Sequence, residues 1–402
     1  MLTALLAALS ALAFSAAHAA PFLPASDKQV LERLPARATD PQAKELNALR
    51  LAWRQQPDDI DRAVRLAERY FDAVAAEGDP RYIGYAQAAL APWWNLPAPP
   101  TAVRVLRAKL LQFDHRFTEA LADLDAALLA DPAHGDAWAW RAAIHMVRAD
   151  YTQARRSCEK LAELAPPLIG VACTAQVDAT TGRAEAAATA LRNALASTPA
   201  STPASTPASV PGADAAQRLW ALSRLAETEE RRGAYPAAEA AFRQALALGL
   251  DDVYLLAAYA DFLLDRKRPA EVLTLLKDRG RADVLLLRLA LAAQAAGTPE
   301  RDTWARILGE RFDAAALRGD TTHRKEASRY RLALLGQPDQ ALALARENFA
   351  EQREPADARI LLEAAVAARQ PSAAAPALAW MAASGIQSVA LQRLAAELKG
   401  LQ

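Results

Sequence analysis

Apolar residues recur along this chain at spacings of three and four, with charged residues between them, the mark of amphipathic helices. Residues 107–132, RAKLLQFDHRFTEALADLDAALLADP, show it well: two apolar faces flank a polar break that holds His115. Strand signals are missing. There is no sustained Val/Ile/Thr alternation, and no Asn-Gly or Asp-Gly joins two apolar runs. The pattern predicts an all-α chain.

The pattern repeats at a fixed distance. Shifted by 34 residues, 107–132 falls on 141–166, RAAIHMVRADYTQARRSCEKLAELAP, so that Ala108 maps to Ala142, Phe117 to Tyr151, Ala120 to Ala154 and Pro132 to Pro166. A third unit follows one residue short, through Ala175, Gly182, Ala187, Leu191, Ala194, Leu195 and Pro199. A fourth, at 224–248, holds Leu225, Ala226, Gly233, Tyr235, Ala238, Phe242, Ala245 and Leu246, with Leu250 where a proline would close it. Small residues let two helices approach closely. Aromatics fill the wedge between them. Glycines suit a left-handed turn after the first helix, and prolines stop the second. One such unit cannot bury its own apolar face, so units must stack.

The order small, aromatic, small, proline resembles the tetratricopeptide repeat family, with Trp138 in the family's tryptophan slot. The resemblance implies a right-handed superhelical α-solenoid of antiparallel helix pairs. It covers about a third of the chain firmly. Toward the ends the expected helices are looser. They lie at 60–97, from Val253 with Ala260, Leu263 and Leu276, then at 283–296, 328–349 with a turn at Gly336, Gln337 and Pro338, 357–369, 372–383 and 386–398. The expected organisation is a leader at 1–19, a helical lead-in at 20–56, repeats at 57–200, a low-complexity loop at 197–213, and repeats and degenerate repeats at 214–402.

In the family, first-helix residues line an inner groove that holds peptides. Carried onto this chain, that register selects Lys109, Gln112, Trp140, Met146, Gln176, Trp220, Arg224, Glu227, Tyr254 and Asp261. The Lys/Asn set with which some members clamp a terminal carboxylate is incomplete here. The adjacent Trp93 and Trp94 point about 100° apart on a helix, which suits plugging the first units more than a ligand platform.

Composition narrows the readings. Lys+Arg and Asp+Glu both number 47, and the two signs interleave, which argues against a nucleic-acid surface. The bland reading of those charges, including Glu229 and Glu230, is a solvated face. No metal-ligand, Walker A or Gly-x-Ser-x-Gly spacing is present, so neither cofactor nor metal is expected. His145, at an aromatic slot, reads as a half-buried packing residue. His115 falls in a turn and His134 just past Pro132.

The first 19 residues have an apolar core from Leu5 to Phe14 and an Ala17-His18-Ala19 cleavage pattern. They read as a signal peptide cut after Ala19, although no Lys or Arg precedes the core. No later stretch suits a membrane span. A periplasmic or secreted protein is expected. Cys158 and Cys173 lie about equally far from the turn at Pro166 and Pro167, which suits either a disulfide or two buried thiols. The Ser/Thr/Pro/Ala run 197–212 is either a hinge or a functionless insertion. Together these features predict a non-catalytic scaffold of the bacterial envelope with a protein or peptide partner. The alternative is an accessory subunit or enzyme of cell-wall or polysaccharide metabolism.

Overall fold

The computed structural model describes Ser26 and residues 41–198 and 213–401. The expected leader at 1–19 and nearly all of the Ser/Thr/Pro/Ala run lie outside these residues. The chain divides into two compact units, Met1–Ala48 and Leu49–Gln402. Of the first, Ser26 and residues 41–48, in the helix α1 (Pro41–Gln55), are described. All further elements belong to the second.

The described residues form helices and no strand. After α1 come α2 (Ile60–Glu77), α3 (Arg81–Ala89) and the single turn α4 (Ala91–Trp94). Five pairs follow: α5 (Thr101–Phe113) with α6 (Phe117–Ala130), α7 (Gly135–Val147) with α8 (Tyr151–Leu164), α9 (Pro167–Thr180) with α10 (Ala184–Ser197), α11 (Ala213–Arg231) with α12 (Tyr235–Leu246), and α13 (Val253–Asp265) with α14 (Pro269–Leu275). Then come α15 (Asp283–Ala296) with α16 (Glu300–Leu317), and α17 (Arg324–Ala333) with α18 (Pro338–Glu351). The chain finishes with α19 (Pro355–Ala367), a 3₁₀ turn at Pro371–Ala374, α20 (Ala375–Ser384) and α21 (Val389–Lys399). This is an all-α solenoid.

Each of the five central pairs closes through the same turn. A residue in the left-handed region follows the first helix: His115 (φ 59°), Ala149 (60°), Gly182 (80°), Gly233 (81°) and Lys267 (60°). The next amide bonds back to a carbonyl five residues earlier, as in Arg116 to Leu111 at 2.8 Å, Asp150 to His145 at 2.8 Å and Arg183 to Asp178 at 2.9 Å. That bond occupies a carbonyl the helix end would otherwise leave bare. Within pairs, Ala108, Ala120 and Ala154 are fully buried between the helices. Between pairs, α8 and α9 approach so closely that a Cβ on Gly170 would stand 2.7 Å from the Ala162 Cβ.

The turn expected at Gly336, Gln337 and Pro338 separates α17 from α18, with Gly336 at φ 63°. α16 had no counterpart in the sequence reading, because its buried residues Ala305, Leu308, Phe312 and Ala315 are thinly spread among charges. Trp94 packs on the core of α5 and α6 and Trp93 is half-buried, both in the first units.

The solenoid bends back on itself. A Cβ on Gly78, after α2, would lie 2.6 Å from the Ala282 Cβ just before α15 and 3.4 Å from Val253 at the start of α13. The C-terminal stretch 352–389 then runs as a strap along the row of left-handed turns. Gln352 Nε2 meets His115 Nε2 at 3.0 Å, and the Arg353 amide donates to the Val147 carbonyl at 2.8 Å. The Trp380 indole donates to the Tyr151 hydroxyl at 2.8 Å, and the Ala184 amide donates to Gln387 Oε1 at 3.1 Å. Val389 covers Gly233, 3.2 Å from where its Cβ would be. Strap residues and their partners rise in number together, so the strap runs alongside the stacked units.

Candidate functional site

Bending brings the first helix of each pair to the inside. Residues of α2, α5, α7, α9, α11, α13, α15, α17, α19 and α21 line one cavity of about 890 Å³. Ligand-sized cavities span roughly 300–1,000 Å³. Helical periodicity explains the lining: on α11, Glu227 and Thr228 lie three and four residues after Arg224, and Arg231 lies four and three after them, so one face of a single helix supplies all four.

Seven of the ten groove candidates meet here: Gln112, Met146, Gln176, Arg224, Glu227, Tyr254 and Asp261. The other three lie elsewhere. Lys109 pairs with Asp136, and its ammonium sits 5.9 Å from the Phe71 ring and 5.8 Å from the Trp140 ring. Trp140 meets Phe71 edge-on, centroids 5.4 Å apart. Trp220 packs against the core that contains Cys158 and Cys173. These two cysteines are joined by a disulfide across α8 and α9.

Tyr254 is 52% accessible, yet burial is the largest influence on its hydroxyl and pushes its pKa up. Both facts hold because its exposed surface faces the cavity. Its hydroxyl donates to Glu227, and its ring lies 4.9 Å from the Arg224 guanidinium, which pairs with Glu227 at 3.2 Å. Burial acts to lower the Arg224 pKa, but Glu227 and Tyr254 outweigh it and raise it.

The cavity is rich in charge, and this overturns the reading of the carboxylates as a solvated face. Asp261 accepts from Arg288 at 2.6 Å and from Arg329 at 2.6 Å. Burial alone would raise its pKa; the two guanidiniums hold it well below the ordinary range. Asp265 takes a two-pronged bond from Arg359, at 2.6 and 2.8 Å. Glu230 lies among these groups. Burial, then the charge of Asp265, pushes its pKa up to about 8 against the pull of Arg359. Glu229, one residue away on α11, points outward and is also buried, held by Arg192 and by Arg232 at 2.5 Å. On α17, burial opposes the charge of Lys325, but Glu326, Asp357 and Glu354 overcome it and raise its pKa.

Sequence reasoning missed Glu230, Arg231, Lys325, Glu326, Arg329, Glu354 and Arg359. Extending the three–four register from Arg224 finds Arg231. The residues of α17 and α19 carried no such signal, since their units lack the repeat signature. Among the histidines, His115 and His323 line the cavity, while His145 and His134 hold structural places. His145 is buried, with a pKa lowered by burial and Nδ1 3.7 Å from Asp150. His134 caps α7 by accepting the Ala137 amide at 3.3 Å. Among the described residues no three His, Cys, Asp or Glu are placed to hold a metal, and no helix is long and apolar enough to cross a membrane.

The sequence matches no protein-family model, and no curated protein matches it. Among solved structures, the chain is similar to the TPR domain of P58(IPK), with 15% identity over 90% of this chain and 94% of that one, at a TM-score of 0.22. It is also similar to a chain of the Naa15/Naa10 complex bound to HypK-THB, with 17% identity over 90% of this chain and 59% of that one, at a TM-score of 0.28. At these scores the likeness adds nothing to the fold, which rests on the helix pairs themselves.

Proposed function

We propose that this protein is a non-catalytic scaffold that takes a peptide or protein segment into its central cavity, and that it works in the bacterial envelope. The observation that carries the reading is the convergence of seven first-helix residues on one cavity of about 890 Å³. A tyrosine and paired guanidinium groups suit a polypeptide, because aromatic surface anchors and fixed polar groups orient. Asp261 and Asp265 are each bonded to arginine, which suits them to hold shape more than to move protons. The leader-like residues 1–19 and the Cys158–Cys173 disulfide support an oxidising compartment.

The test is site-specific photo-crosslinking of the full chain in an exporting bacterial host. A crosslinker replaces Tyr254 in the cavity or Leu129, which is 88% exposed on the second helix α6. Peptide adducts at 254 and none at 129 are expected. Adducts equal at both positions, or none at 254, would remove the cavity as the binding site.

A further inference from the structure

The charges that line the cavity are sorted by exposure. Among the described residues, five lining charges are exposed, Arg266, Lys267, Arg281, Arg353 and Arg393, and all are cations. None of the nine lining carboxylates is exposed. The chain as a whole carries equal numbers of each sign, so composition does not account for this sorting. Most of the carboxylates are also engaged. Arg288 and Arg329 hold Asp261, Arg359 holds Asp265 and Glu363, and Arg224 holds Glu227. Arg311 holds Asp283, and Asp252 and Glu354 stand at the caps of α13 and α19. Glu230 and Glu326 are left, both half-buried. By contrast, Arg266, Lys267, Arg353 and Arg393 form no ion pair among the described residues.

These four cations are spaced along the row of left-handed turns. Arg353 lies at the turn after α7, where its amide donates to the Val147 carbonyl at 2.8 Å. Arg393 stands about one helical turn beyond Val389 on α21, and Val389 covers Gly233 in the turn after α11. Arg266 and Lys267 make the turn after α13, with Arg266 at the cap and Lys267 in the left-handed region. The Arg266 guanidinium lies 3.7 Å from the ring centroid of Tyr235, at the start of α12. The cations therefore mark three stations on three helix pairs, with the pair α9 and α10 between the first and second. Packed helices lie about 8–10 Å apart and an extended chain covers about 3.3 Å per residue, so neighbouring turns are a few residues apart along such a chain. A compact anion reaches one station. An extended chain with a negative charge every few residues meets them in succession.

We propose that the cavity takes an acidic polypeptide segment, whose Asp and Glu side chains meet Arg353, Arg393 and the neighbours Arg266 and Lys267 in turn. The inference rests on the reading of the cavity as a polypeptide site and supplies the sign of the partner. Guanidiniums suit carboxylates, because their planar forked donors match the two oxygens. A basic segment would meet only charges of its own sign among the exposed groups. The cations lie on a turn, on the strap and on α21, outside the first-helix register that selected the groove candidates. Exposed pairs of this kind are screened by salt, so the preference for acid should fade as ionic strength rises.

The experiment measures fluorescence anisotropy of labelled peptides with the full, disulfide-bonded chain. The peptides are equal in length, blocked at both ends, and carry Glu, Gln or Lys at every third position. The Glu peptide should bind at least about tenfold more tightly than the Gln peptide at low ionic strength, and lose most of that lead in about 0.3 M salt. The Lys peptide should bind most weakly. Arg353→Gln with Arg393→Gln should remove most of the lead, whereas Arg306→Gln, exposed on α16 and not in the cavity lining, should leave it. Neither Arg353 nor Arg393 makes a side-chain hydrogen bond among the described residues, and each single variant decides if the double variant fails to fold. Equal binding of the Glu and Gln peptides, or a lead that the variants leave intact, overturns the proposal and leaves the scaffold reading standing. Failure of every peptide to bind also overturns it, and the scaffold reading falls with it only if crosslinked adducts at position 254 are missing too. An oligodeoxyadenylate bound as tightly as the Glu peptide would overturn it in favour of a general polyanion site.

Discussion

Gly182 and Gly385 meet backbone to backbone: a Cβ on Gly182 would stand 3.1 Å from the Gly385 carbonyl oxygen. Gly182 also has φ +80°, in the region that suits glycine. Gly182→Ala should therefore destabilise the fold by about 1–3 kcal/mol. Gly249→Ala is the control, because Gly249 has φ +69° and nothing within 4 Å of its Cβ position. Urea denaturation measures both. The excess cost at Gly182, with faster exchange of the Ala184 amide, isolates the strap contact. Equal costs would show that the strap adds nothing there.

Asp261 bridges Arg288 on α15 and Arg329 on α17. Removing it leaves two largely buried guanidiniums uncompensated. Asp261→Ala should cost about 3–5 kcal/mol. Arg306→Ala, which breaks the exposed pair with Glu310, should stay within about 0.5 kcal/mol. Because the folded pKa of Asp261 is depressed, its contribution is present above the ordinary carboxylate pKa and fades as pH falls below it. The variant should accordingly lose part of the wild-type acid limb in a plot of stability against pH.

Glu230 runs the other way. Its folded pKa is raised from 4.5 to about 8, so the folded state holds a proton that the unfolded state has lost between those values. Stability should decline with rising pH across that window, by a few kcal/mol at most. Glu230→Gln keeps the neutral shape and should melt several degrees above wild type at pH 8, while matching it at pH 4. Melting curves that stay parallel across the window would contradict this assignment.

The Cys158–Cys173 bridge closes a loop of sequence separation 15 inside the core of Leu161, Met146 and Val177. Loop entropy assigns it about 3 kcal/mol. Non-reducing peptide mapping should find the bridge. Reduction, or the pair Cys158→Ala and Cys173→Ala, should lower the denaturation midpoint accordingly. Free thiols in protein purified without reductant would refute it.

Much of the architecture was already written in local patterns. The left-handed turns, the buried alanines at 108, 120 and 154, and the pairing of α5 to α12 follow from a motif that recurs at 34 and then 33 residues and returns after the Ser/Thr/Pro/Ala run, because each rule acts within one or two helical turns. The first-helix register even found Arg224, Glu227, Tyr254 and Asp261 as cavity residues. It failed where packing replaced the expected exposure, at Lys109, Trp140 and Trp220, and where the repeat signature had decayed, on α17 and α19. Tertiary structure alone decided that the solenoid bends back, with Gly78 against Val253 and Ala282 and the C-terminal stretch against the central pairs. Arg329 reaches Asp261 across 68 residues, Arg359 reaches Asp265 across 94, and Trp380 reaches Tyr151 across 229. Such pairs depend on small rotations summed over many stacked units. No local pattern encodes that sum, so charges that read as a solvated surface became the wall of a cavity.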